Sequence, residues 1–335
     1  MKEIRIQKIL ILLVVFFILS AAVYLSWGSY QISITDIFLT FIGRGNAFQE
    51  TALLNLRLPR MLVAICIGIA LATSGGIIQT ITKNELADPG IIGINAGAAV
   101  AAILVVSFQT TYYYNQLGSF SVYLLPFMAI IGAAVSATII YVLSSDKGIK
   151  PKKMILVGLG INAGLSAFMT FFIFRGGVGE YNRVLIWTSG SLWGTGWEYA
   201  KIILPLVSVF FGLVLWNVKK LDVLQFSDEH ITALGLNRNH ERKKLLAYAV
   251  ILAGGATAFA GNIGFIGLIS PNIARKLVGS SHKYVLIVSA LISAVMMLVA
   301  DAVSRNLFSP IEIPVGIIIS VFGVPYFIYL IIKEN

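Results

Sequence analysis

Long apolar runs joined by short polar connections make up most of the chain. A bilayer-crossing helix needs about 20 predominantly apolar residues. Ten stretches approach that length: Ile9–Trp27, Arg60–Thr82, Ile91–Phe108, Phe120–Leu143, Met154–Phe174, Trp197–Trp216, Leu245–Asn262, Ile263–Gly279, Tyr284–Val303 and Ile313–Ile332. The eighth is interrupted by Pro271, Asn272 and Arg275. Two longer polar segments, Gly28–Leu58 and Arg175–Gly196, have room for short surface helices or re-entrant pieces, and one charged loop spans Val218–Lys244. The pattern predicts an all-α polytopic membrane protein of about ten transmembrane helices, forming one domain over residues 1–335 with the loop 218–244 inside it.

Small residues recur every four positions within several runs: Ala64, Gly68, Ala72 and Gly76; Ala129, Ala133 and Ala137; Ala249, Ala253, Thr257 and Gly261. Such stripes let helix backbones approach closely in lipid. Spans two to five and seven to ten each make four crossings in opposite directions, and each group starts with a Gly/Ala-rich member. That arrangement suggests an inverted repeat of the kind found in transporters.

Composition supports the same class. Of 335 residues, 58% are hydrophobic and 12% charged, against about 25% charged in soluble domains. The net charge of +10 does not imply nucleic acid, because of where the charges lie. With the N-terminus placed inside, most Lys and Arg fall in inner connections, leaving Arg44, Arg57, Arg60, Arg175, Arg183 and Arg305 outside. This is the positive-inside bias, and it places both termini in the cytoplasm. Met1–Ala22 also has the features of a signal peptide. Cleavage would put the basic loops on the wrong side, so an uncleaved first helix is expected. The lone Cys66 lies in a span and cannot form an intrachain disulfide.

Four polar features stand out. Arg57-Leu58-Pro59-Arg60 precedes the second span, with Pro59 suited to a first helical turn. Its arginines are expected to project from the outer face, either as headgroup anchors or as docking points for carboxylates. Lys83–Gly90 ends in Pro-Gly and reads as an inner hairpin. Asn162, in the fifth span beside Gly160, is expected to face protein or a water-filled path. Within the charged loop, Ser227–Gly235 reads as a short helix: Ser227 as cap, Asp228 and Glu229 at the positive end, Gly235 as terminator. Asn239 is then expected to cap the seventh span.

Asp301 and Arg305 can pair as an i,i+4 set, and no acid is placed clearly at mid-membrane, where an ion relay would need one. The sequence contains no G-x-x-x-x-G-K-[ST] loop and no H-E-x-x-H motif. No catalytic set or metal site is evident.

Taken together, several motifs resemble the ABC-transporter permeases for iron–siderophore complexes and vitamin B12 (the FecCD type). They are Arg57-Leu58-Pro59-Arg60; Ser74-Gly75 with Gln79 and the run Asn84 to Pro89; Gly93 with Gly97-Ala98; Trp187–Ser191; Ala233-Leu234-Gly235; Gly264–Pro271; Asp301 with Arg305; and Pro314-Val315-Gly316. The resemblance runs from about residue 50 to the end. Glu85 stands where the family usually has proline, and Asn272 where it usually has histidine.

The resemblance implies a permease in the bacterial cell membrane that imports ferric siderophores, or alternatively vitamin B12 or haem. Its implied partners are an ATPase pair on the inner face, a second permease copy or paralogue, an extracytoplasmic binding protein and membrane lipid. The chain would bind no cofactor, and ATP and Mg²⁺ would sit on the ATPase. Arg57, Arg60 and Arg305 would meet acidic residues of the binding protein. Asp228, Glu229, Ile231, Ala233, Leu234, Gly235, Leu236 and Arg238 would form the coupling helix seated on the ATPase. Ser144 and Ser145 would belong to the inner gate, while Gly160 and Asn162 would line the path. An ion-coupled secondary transporter is the alternative of another class, disfavoured by the lack of mid-membrane acids.

Overall fold

The apolar runs fold as helices. The computed structural model describes residues 2–90, 93–112, 121–145 and 151–334, and no strand forms among them. The helices are α1 (Lys2–Ser26), α2 (Ile34–Phe41), α3 (Ala47–Glu50), α4 (Leu58–Thr82), α5 (Ile94–Tyr112), α6 (Ser121–Ser144), α7 (Pro151–Thr188), α8 (Trp197–Trp216), α9 (Val218–Leu224), α10 (Asp228–Ala233), α11 (Arg238–Ala260), α12 (Ile266–Val278), α13 (His282–Asn306) and α14 (Val315–Glu334). A π-helical turn, Thr51–Arg57, leads into α4, where Pro59 occupies the first turn. Asn46 starts α3 with a reciprocal capping box to Gln49.

Helix α4 is the central mast and is buried over nearly its whole length. It packs against α8, α11, α12 and α13. The small-residue stripe explains how closely. A β-carbon on Gly75 would stand 1.9 Å from the Gly267 carbonyl oxygen, and one on Gly68 would stand 2.7 Å from that of Ser293. Side chains at these positions would force the helices apart, so the stripe works by bringing backbones together.

Among the described residues, eight helical stretches are long and apolar enough to cross a membrane; α5 contributes a shorter apolar stretch, Ile94–Val105. The expected eighth span is shorter than the sequence pattern suggested. Helix α12 has 13 residues, or about 20 Å at 1.5 Å per residue, against a hydrocarbon core of about 30 Å. It is the returning half of a broken pair. Helix α11 ends at Gly261, and the chain reverses through Phe265, which is held in the left-handed region at φ 67°. Backbone of this kind is tolerated at membrane depth only where protein or a cavity covers it.

The polar segment Arg175–Gly196 also differs from expectation. Helix α7 runs on through Thr188 for 38 residues, about 57 Å. Almost none of its membrane stretch, Lys152–Phe172, is buried, so that stretch has a largely uncovered surface.

The Lys83–Gly90 connection is a turn but does not stay at the end of the bundle. Lys83 closes α4 in the left-handed region (φ 52°). The chain then climbs back. A β-carbon on Gly267 would lie 3.0 Å from both an Asp88 carboxylate oxygen and the Leu71 carbonyl. Leu71 lies halfway along α4, so Asp88, only 6% exposed, sits at mid-bundle depth. The expectation that no acid reaches this depth is therefore corrected. A re-entrant loop hid the position, because sequence separation from a span end does not report how far a turn folds inward.

Candidate functional site

At the end of the bundle where α4 finishes and α11 starts, the charged loop forms two short helices, α9 and α10. Ile231 pins α10 to the core, fully buried, while Glu229, Thr232, Ala233 and Gly235 face outward and Leu234 is 63% exposed. Leu236 and Arg238 are half-buried. Gly235 ends the helix at φ 76°. Ser227 has N-cap backbone geometry, but its hydroxyl meets His230 Nδ1 at 2.5 Å and makes no capping bond to the backbone. The next helix starts earlier than expected: Asn237, not Asn239, caps α11 by accepting from the His240 N–H at 3.2 Å.

Asp228 is the hub of this end. Its carboxylate accepts from Arg238 Nη1 at 2.6 Å and Arg242 Nη2 at 2.7 Å, and lies 3.5 Å from Lys83 Nζ. Lys83 also donates to the Phe226 carbonyl at 2.7 Å. Partial burial pushes the Asp228 carboxyl up, but the hydrogen bond and charge of Arg242, with Lys83 and Arg238, outweigh this and hold it below its ordinary value. Helix α10 is thereby tied to the end of α4 and the start of α11.

A second tie runs through α9. Asp222 accepts from the His282 backbone N–H and stands 2.8 Å from its Nδ1, while His282 Nε2 meets Thr80 Oγ1 at 2.7 Å. Sequence reasoning missed α9, Lys83 and this relay. Asp222 and His282 are 60 positions apart, and no local pattern connects them.

Halfway along the bundle lies a cavity of about 350 Å³, lined by Asp88, Asn95, Asn162, Ser166, Asn262 and Phe265 among others. Asn95 donates to Asn262 Oδ1 at 2.9 Å and accepts from the Thr257 hydroxyl at 3.0 Å. Asn162 is thus placed on this cavity beside Asn95 and Asn262, and Gly160 faces open space on the same helix. Ser144 is buried and donates to the Tyr141 carbonyl at 3.2 Å; Ser145 is half-buried, and the link 146–150 lies outside the described residues.

The two departures from the family pattern meet in space. Asn272 Nδ2 donates to the Glu85 carbonyl at 3.0 Å, joining α12 to the re-entrant loop. Beside them, Arg275 donates to Gln79 Oε1 at 2.6 Å, and Gln79 donates to the Gly267 and Leu268 carbonyls.

At the opposite end, three arginines turn inward, whereas the sequence suggested that Arg57 and Arg60 project. Arg57, 6% exposed, donates to the carbonyls of Leu25, Ser26 and Tyr30. Arg60 grips Asp301 through two bonds of 2.8 and 3.0 Å and reaches Glu312 at 3.1 Å. Arg305 pairs with Asp301 at 3.7 Å as the i,i+4 set, and its guanidinium lies 4.4 Å from the centre of the Tyr24 ring. The Tyr24 hydroxyl donates to Asp301 at 2.6 Å. Buried carbonyls and a fully buried carboxylate draw the guanidinium groups in, and an arginine's neighbours across the fold cannot be read from its flanking residues. The cluster still carries one positive charge in excess, three arginines against Asp301 and Glu312.

Among the described residues, no group of His, Cys, Asp or Glu could hold a metal ion. The described residues offer an exposed helix tied to two long helices, a mid-depth cavity and a positively charged far end.

The profile of the FecCD transport family matches residues 11–333. The iron(3+)-hydroxamate import system permease protein FhuG of Bacillus subtilis (strain 168) is 39% identical over 98% of each chain. The Fe(3+)-citrate import system permease protein YfmE of the same organism is 38% identical over 96% of this chain and 94% of that protein. A solved structure described as an inward-facing conformation of a metal-chelate type ABC transporter superimposes with a TM-score of 0.84 at 28% identity, covering 98% of this chain and 99% of that one.

Proposed function

The chain belongs to the FecCD transport family, and from that premise we propose that it is the permease subunit of an ATP-driven importer for ferric siderophores in the bacterial cell membrane. The chain is a transport subunit and not an enzyme; ATP hydrolysis belongs to a separate partner. The observation that carries this reading is α10: a short exposed helix whose single buried anchor is Ile231 and whose Asp228 is bound to α11 and to Lys83 at the end of α4. A partner ATPase that moves α10 moves two of the central helices with it.

The same reading puts both termini on the α10 side and pairs this permease with a second copy or paralogue across the uncovered face of α7. Ferric chelate then passes between the two permeases, past Gly160 and Asn162. Ser144 and Ser145 stand at the inner end of that path. A binding protein delivers cargo at the Arg57, Arg60 and Arg305 end. Because these guanidinium groups are held from within, they would serve docking through the excess positive field of the cluster, which orients acidic surfaces during encounter.

The test is uptake by the permease co-expressed with its ATPase and binding protein in proteoliposomes, with a ferric hydroxamate, ferric citrate and haemin compared as cargo. ATP-dependent accumulation of a ferric siderophore supports the reading. Accumulation of haemin alone reassigns the cargo. Accumulation driven by an ion gradient without ATP overturns it.

A further inference from the structure

We propose that a wedge between α6 and α11 is a binding site for an anionic phospholipid, with one acyl chain in the wedge and the headgroup phosphate on Lys243. The two helices touch at Gly254, where a β-carbon would stand 2.8 Å from that of Ala133. From this crossing toward the α10 end they leave a cavity of about 390 Å³. Its walls are Ala134, Ala137 and Thr138 on one side and Ala247, Val250 and Ile251 on the other. The alanines among them leave the space open, and the Thr138 hydroxyl is already satisfied by the Ala134 carbonyl at 2.7 Å. The interior is therefore apolar, and in a chain surrounded by lipid an acyl chain fits it.

Charge marks the mouth. Lys243 Nζ sits 5.2 Å from the centre of the Tyr141 ring at the wide end of the wedge. Among the described residues no carboxylate pairs with Lys243; Glu241, nearby on α11, is taken by Lys220 at 2.5 Å. The level is that of headgroups. The neighbouring Lys244 donates to Asn217 at 3.3 Å, and the adjoining Trp216, which ends α8, is 89% exposed, as an interfacial tryptophan would be. A basic residue at the mouth of an interhelical pocket favours an anionic over a zwitterionic headgroup.

The permease–ATPase complex, reconstituted in nanodiscs of equimolar phosphatidylglycerol and phosphatidylcholine and then released into mild detergent, reports retained lipid by native mass spectrometry. Wild type should retain phosphatidylglycerol preferentially. Lys243→Ala should lower the ratio of retained phosphatidylglycerol to phosphatidylcholine about fivefold, the value expected for one basic residue at an anionic surface, while Lys243→Arg should preserve it. Ala247→Leu, which fills the wedge without changing charge, should reduce retention of both lipids. Equal retention of the two lipids by wild type, or ratios unchanged by Lys243→Ala, would overturn the proposal. So would disulfide trapping of Ala247→Cys between two permease copies, which would make the wedge a protein interface.

Discussion

At one end of the bundle Asp301, fully buried, gathers Arg60, Arg305 and the Tyr24 hydroxyl. At the other end Asp228, its side chain 41% exposed, gathers Arg238, Arg242 and Lys83. The chemistry is nearly the same, one carboxylate among several cations, but the solvent differs. Around Asp301 no water can replace a lost partner, so the ion pairs fix α1, α4 and α13 in one arrangement. Around Asp228 water reaches the carboxylate and the Lys83 and Arg238 side chains, so those two pairs are weak, while the buried Arg242 anchors the carboxylate from within. Burial thus separates a clamp from a joint.

The difference can be broken by mutation. Asp301→Ala strands two buried guanidinium groups and should destabilise the protein by about 3–5 kcal/mol, read as a large loss of thermal stability in detergent. Asp228→Ala removes two exposed pairs worth at most about 1 kcal/mol each and leaves one buried guanidinium, Arg242, unpaired, so its loss of stability should be clearly smaller than that of Asp301→Ala. It should nonetheless abolish ATP-driven uptake and release the ATPase from purified permease. Equal melting losses for the two variants would erase the distinction between clamp and joint.

A subtler effect follows from pH. The Asp228 carboxyl is held below its ordinary value, so its ties are fully present above the usual aspartate pKa of about 3.9 and are lost as pH falls through the lower folded value. ATPase retention should therefore be level from about pH 8 to 5 and weaken only under stronger acid. A loss centred near neutral pH would point to a histidine instead. The smallest expected change is at the arginine end: raising salt should weaken binding-protein docking through screening, while leaving the buried Arg60–Asp301 pair and the melting temperature nearly unchanged.

Much of the architecture was legible in the sequence because run length reports which residues avoid water. The short helix at Asp228 was legible for a different reason: acids at its start and Gly235 at its end are local signals. The errors share a cause. The inward turn of Arg57 and Arg60, the depth of Asp88, the truncation of α12 and the extension of α7 all depend on where a segment lies against distant partners. The helical cap also moved, from Asn239 to Asn237, because two asparagines two positions apart offer the same capping group. The family motifs drew attention to segments without giving the direction of any side chain.

Lys83 belongs to three structures at once. Its backbone ends α4, its ammonium holds the Phe226 carbonyl and the Asp228 carboxylate, and the loop that starts with it climbs to Asp88 beside the mid-depth cavity. It joins two arms of unequal length, one at the exposed α10 surface and the other inside the bundle. A tilt at α10 could reach the cavity wall through a few residues of chain, by a route far shorter than any helix.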